Sequence, residues 1–135
     1  MNKSFTLVLL FVLIGSVTTF AQAEIPIDQR LYDVFDGDFL KKLQADKSFH
    51  LQYYNFSLDN SYQIIEIPKE KNMKLPKVKI KDLDKINILK LQKEQKLTKS
   101  LDSPTYYQIK GSNKVLMIRS EKDFAKRLNK HLGRI

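Results

Sequence analysis

The chain of 135 residues has no cysteine and no tryptophan, and only four glycines, four prolines and two histidines. Without thiols it has neither disulfides nor thiolate metal ligands, so its stability must rest on apolar packing. The histidines, His50 and His131, fall on separate predicted elements, and a zinc site built on them would need carboxylates brought in by the fold. No serine lies in a G-x-S-x-G or S-x-x-K context, and no segment offers a phosphate loop, so no catalytic residue, metal ligand set or cofactor site is assigned. Asp33, Asp36 and Asp38 around Gly37 do not follow the order of a calcium loop and lack its closing glutamate, so they read as helix-end residues.

Arginine is also scarce, with twenty lysines to four arginines, and residues 69 to 99 contain no Phe, Tyr or Trp. A nucleic-acid surface wants arginine forks and stacking rings, so nucleic acid is excluded as a partner. The apolar run of residues 5 to 14 is diluted by Gly15, Ser16, Thr18 and Thr19 before it reaches the roughly 20 residues a membrane-spanning helix needs. With Lys3 before it and Ala21, Gln22, Ala23 after it, the run reads as a secretory signal peptide over residues 1–23. The expectation is an exported protein, periplasmic or extracellular, with one small domain over residues 24–135 and no transmembrane segment in it.

The charge that is present is unevenly spread. Residues 24 to 68 carry four basic and eight acidic side chains, residues 69 to 99 eleven and four, and residues 100 to 135 eight and three. The plainest reading of such a lysine excess is a solvated surface; the functional reading is a surface for an anionic partner, whether lipid, glycan or an acidic protein face. Its candidates are Lys77, Lys79 and Lys81, which alternate with Val78 and Ile80, and the ladder Lys122, Lys126, Lys130 and Arg134.

The clearest structural unit runs from residue 105 to 132. Two β-rich runs flank Gly111, Ser112 and Asn113, which predicts a hairpin. Ser120 with Asp123 then predicts a capped amphipathic helix with Phe124, Leu128 and Leu132 on one face and a stop at Gly133. Near the start, Ile27, Leu31, Phe35, Phe39 and Leu43 step by four, predicting a helix over residues 26 to 46 that is interrupted at Asp36 and Gly37, with Asp38 capping its second half. Residues 49 to 67, rich in Tyr, Phe and Ile and divided by Asp59, Asn60 and Ser61, predict a second hairpin. Its outer strand should end at Pro68, and Asn55, Phe56, Ser57 within it match a glycosylation sequon. Ile86, Asn87 and Ile88 favour a strand over residues 86 to 91, the alternative being a helix capped by Asp84.

These elements sum to an α+β fold: an N-terminal helix, a four- to five-stranded antiparallel meander, and a C-terminal helix packed on the sheet. In such strands one tyrosine of each adjacent pair faces outward, so Tyr54 and Tyr106 are either core or an exposed aromatic strip. The functional expectation is a non-catalytic binding or accessory protein of the bacterial envelope. The alternatives are a structural subunit of an envelope or secretion assembly using the aromatic sheet surface, and, remotely, a small hydrolase or enzyme inhibitor using His50 or His131 beside a carboxylate.

Overall fold

A computed structural model describes residues 23 to 67 and 74 to 134. The predicted signal peptide up to residue 22, the end of the outer strand at Pro68 and the lysines at 69 and 71 lie outside the described residues.

The predicted first helix is two pieces. A 3-10 turn spans Gln29–Asp33, with the Asp28 carboxylate accepting from the Arg30 amide, and helix α1 spans Gly37–Asp46. The interruption falls where Gly37 placed it, but the cap is Asp36 rather than Asp38. The Asp36 carboxylate accepts from the amides of Asp38 at 3.0 Å and Phe39 at 3.4 Å, and Asp38 sits in the first turn, where its charge suits the helix dipole.

Residues 49 to 67 are not a hairpin. Helix α2 spans Ser48–Asn60 and strand β1 spans Tyr62–Glu66, with Ser61 alone between them. The aromatic content that resembles a strand is spread around a helix: Leu51 and Leu58, two turns apart, are fully buried, Tyr54 packs beside Phe35, and Tyr53 and Phe56 face the last helix. The polar triplet that looked like a turn closes the helix. The Asn60 amide and the Ser61 hydroxyl bond the carbonyls four residues back, at Phe56 (3.0 Å) and Ser57 (2.6 Å).

The predicted strand at residues 86 to 91 is also helical. Helix α3 spans Ile88–Gln95, capped by Asn87 rather than Asp84, and Lys96 ends it at φ 51. Of the two alternating isoleucines, Ile86 lies in the extended lead-in and Ile88 opens the helix, and both side chains are buried. The last unit forms as predicted. Strands β3, Thr105–Ile109, and β4, Lys114–Ile118, make the hairpin, Gly111 supplies the positive φ of its turn, and helix α4, Glu121–His131, starts on the Ser120 cap.

With strand β2 reduced to Lys77–Val78, the sheet has four strands in the order β1-β4-β3-β2. It is not a meander. The pairs β1–β4 and β4–β3 are antiparallel, but β2 runs parallel to β3, with Lys77 opposite Gln108 and Val78 opposite Ile109. Two of the strands the meander required are helices, so β1 finds its partner in the last strand instead of the next one.

Among the described residues two clusters make up most of the core. One lies under a sheet face and joins Val78, Tyr107, Ile109, Leu116 and Ile118 to Ile86 and Ile88; the other joins Leu31, Leu40, Leu43, Leu51 and Leu58. Leu89 of α3 packs on both. Helix α4 packs on α2 through its buried Phe124, whose ring lies 5.0 Å from Tyr53 and 5.6 Å from Phe56.

An ionic staple ties the first turn to the end of α2. The Arg30 guanidinium donates to Asp28 at 3.0 and 2.8 Å and to Asp59 at 2.7 and 2.8 Å. These charged hydrogen bonds outweigh partial burial and hold both carboxyls below the usual carboxylate range. Asn55 bonds the Pro26 carbonyl and the Asp28 amide, which engages both ends of the sequon asparagine, and Asn87 donates to the Arg30 carbonyl at 2.8 Å.

Candidate anion-binding edge

Strand β2 is one of the two sheet edges. Val78 is 1 % exposed and Ile80 packs on the same cluster, so the intervening Lys77, Lys79 and Lys81 are left exposed. Hydrogen bonds fix this segment along its length. Pro76 accepts from the Gln108 amide at 2.8 Å and Val78 from the Lys110 amide at 2.9 Å. Past Val78, where pairing with β3 stops, a side chain takes over. The Lys79 amide donates to Gln95 Oε1 at 3.0 Å, and Gln95 Nε2 donates to the Lys79 carbonyl at 2.7 Å.

Two open recesses flank the edge and differ in charge. One, of about 710 Å³, is lined by Lys77, Gln108, Lys110 and the hairpin turn of Gly111, Ser112 and Asn113, with no acid. The other, of about 490 Å³, has Ile80, Ile86 and Leu91 in its lining and sets Lys79, Lys81, Lys85 and Lys90 against Asp33, Asp82 and Glu94. Lys90 already reaches Glu94 at 4.0 Å. Among the described residues no ion pair engages Lys77, Lys79, Lys81, Lys85 or Lys110. Exposed ammonium groups carried on a main chain held in this way give a field that attracts anions over a Debye length, without the fork geometry that fixes a single carboxylate.

The predicted ladder on α4 is a separate surface. Lys122, Lys126 and Lys130 are exposed, but Lys122 pairs with Asp102, and Arg134 lies over the Phe49 ring at 4.9 Å. No recess among those described is lined by residues of both surfaces. The edge also recruits residues that sequence reasoning passed over. Lys85 and Lys90 needed α3 to be recognised as a helix, and Lys110 needed the parallel β2–β3 pair, which no local pattern announces.

The two tyrosines of the expected strip part company. Tyr54, on α2, is half-buried against Phe35 with ring centroids 4.7 Å apart, whereas Tyr106 stands 37 % exposed on β3. His50 is exposed. His131, also exposed, stacks on Phe56 at 4.8 Å beside a recess lined by Ile25, Gln52, Asn55, Asn60 and Leu132, none of them acidic. Among the described residues no group of three or more His, Asp or Glu side chains is placed to hold a metal ion, and no helix is long and apolar enough to cross a membrane.

Compared with protein-family models, with curated proteins and with solved structures, the chain has no significant match. The reading of its function therefore stands on its own residues.

Proposed function

We propose that this is an exported, non-catalytic binding protein of the bacterial envelope that holds an anionic partner along its β2 edge. The observation that carries the reading is the clasp of Gln95 on the Lys79 main chain, which presents Lys77, Lys79 and Lys81 together on a fixed segment. The acid-free recess shared with Lys110 extends the same positive field. Export is supported by the n-region, apolar run and A-x-A pattern of residues 1 to 23.

Retention on an immobilised polyanion tests the reading. The protein should elute at moderate salt, and Lys77→Glu, Lys79→Glu and Lys81→Glu together should abolish retention, while Lys126→Glu with Lys130→Glu should lower it only slightly. Equal effects of the two sets would mean that net charge alone binds, and the edge would lose its assignment.

A second reading, a structural subunit of an envelope or secretion assembly, is favoured by the exposed ring of Tyr106 on the sheet. It calls for a partner that resists high salt and is lost on Tyr106→Ala.

A further inference from the structure

Alternate residues of a strand point to opposite faces of its sheet. Tyr62 and Ile64, Tyr107 and Ile109, Leu116 and Ile118, and Val78 all join the cluster that α3 covers. The other face is set by register. Lys77, Gln108, Val115 and Ile65 form one row across the four strands, and Tyr106, Met117 and Gln63 form the next. Val115 is buried in the middle; Ile65, Met117 and Gln108 are half-buried around it; Gln63, Tyr106 and Lys77 are exposed.

The strands bring no acid to this face. Among the described strands the single acid is Glu66, which falls on the α3 side and pairs with Lys114. The outer face has Lys77 at its β2 margin and the recess shared with Lys110 next to it; Arg119, which reaches Gln63 from beyond Met117, is already paired with Asp123 at 3.3 Å and adds no free charge. A half-apolar centre with a cationic margin and no strand acid is complementary to a layer that is negative at its surface and apolar beneath.

Resting on the anionic-partner reading above, we infer that this outer face docks on a bilayer of anionic phospholipid. Tyr106 and Met117 meet the headgroup boundary, and Lys77 and Lys110 lie in its negative potential. A tyrosine ring with an apolar body and a polar tip suits that depth, and lysine stems extend along apolar surface while keeping their charge in water. A lipid surface fits better than a protein partner for two reasons. Lysine is depleted in protein interfaces, and the energetic centres of those interfaces are enclosed pockets, whereas the recesses here lie at the edge and the turn. Lysine also answers the diffuse field of anionic headgroups without needing fork geometry.

The chain has no tryptophan, so Tyr106→Trp places a single indole reporter at the centre of the proposed contact. The purified protein is mixed with phosphatidylcholine vesicles, with and without about a third phosphatidylglycerol. With phosphatidylglycerol, the protein should co-sediment, the indole emission should shift to the blue, and about 0.5 M salt should release it. Lys77→Glu with Lys110→Glu should lower partitioning by at least about tenfold, since each lysine near such a surface contributes roughly fivefold. Tyr106→Ala should lower it severalfold with the thermal unfolding curve unchanged, and Lys126→Glu should leave it nearly intact.

Binding without an emission shift would overturn the face. Polyanion retention that depends on the β2 edge, without vesicle binding, would overturn the lipid and leave the anionic-partner reading standing. Failure of both would remove that reading as well. A salt-resistant protein partner lost with Tyr106→Ala, in place of vesicle binding, would assign the face to protein.

Discussion

The side-chain amide of Gln95 stands to the main chain of Lys79 as a neighbouring strand would, accepting from its N–H at 3.0 Å and donating to its carbonyl at 2.7 Å. Gln95→Ala removes both bonds without touching any charge. It should cost about 1 kcal/mol in total, because both bonds are solvent-facing and so fall at the low end, about 0.5 kcal/mol each, of what an intramolecular hydrogen bond contributes net. Hydrogen exchange at the Lys79 amide should accelerate, and the salt needed to elute the protein from a polyanion should fall. Unchanged elution with faster exchange would mean that the lysines bind without being held.

Phe124 is fully buried between Tyr53, Phe56 and the Lys99 ammonium, which sits 4.3 Å from its ring centroid and 3.5 Å from Glu121. Phe124→Ala should lose about 3–5 kcal/mol in chemical denaturation, the cost of emptying a buried aromatic site. Lys99→Met keeps the stem and deletes the cation, and should lose about 1 kcal/mol, the worth of a partly desolvated cation–π contact. A larger loss for Lys99→Met than for Phe124→Ala would place the stability of this junction in charge rather than in packing.

The Arg30 staple makes stability depend on acid in a stated direction. Asp28 and Asp59 have folded-state pKa values held below their unfolded ones by hydrogen bonds from Arg30, so their contribution is fully present above the unfolded value near pH 4 and is lost as pH falls through the depressed folded values. Arg30→Gln should lower Tm by a few degrees at neutral pH, and the gap from the parent should shrink as pH is taken from about 5 to about 2. A gap that stays constant would show that the staple acts by packing alone.

Two tyrosines should titrate late. Burial raises the phenol of Tyr53, with Glu121 adding to the effect, and burial followed by the Asp59 charge raises that of Tyr62. Because a raised folded pKa favours the neutral form, the stability these groups contribute is present below about pH 10 and is lost as pH rises through their folded values. Ultraviolet titration of Tyr53→Phe and Tyr62→Phe should each remove a component from the alkaline end of the curve. Loss of a component near pH 10 instead would contradict the burial seen for these rings.

What could be read from the residues followed the range of the interactions. The hairpin at Gly111, the Ser120 cap and the buried Phe124 and Leu128 were legible because turn chemistry, capping and a four-residue step are local signals. Helix α2 was not, because its Tyr and Phe residues serve three separate contacts, with Phe35, Phe124 and His131, and so show no single apolar stripe. Helix α3 was masked by the two isoleucines that flank its Asn87 cap. The alternating lysines foretold an edge, and β2 is one. That Gln95 and Lys110 belong to the same edge depends on contacts 16 and 32 residues away in the chain from Lys79 and Val78, respectively, beyond any local pattern.

The pairing of β1 with β4 also bears on the order in which the molecule can assemble. Strand β1 is complete at Glu66, but its partner begins at Lys114, and β2 must wait for β3 at Thr105. As the chain emerges from its N-terminus, helices can form early, whereas no strand has a mate until the last quarter of the sequence arrives. Non-local closure of this kind slows folding. Late closure of the sheet thus postpones the native state until nearly all of the chain has been made.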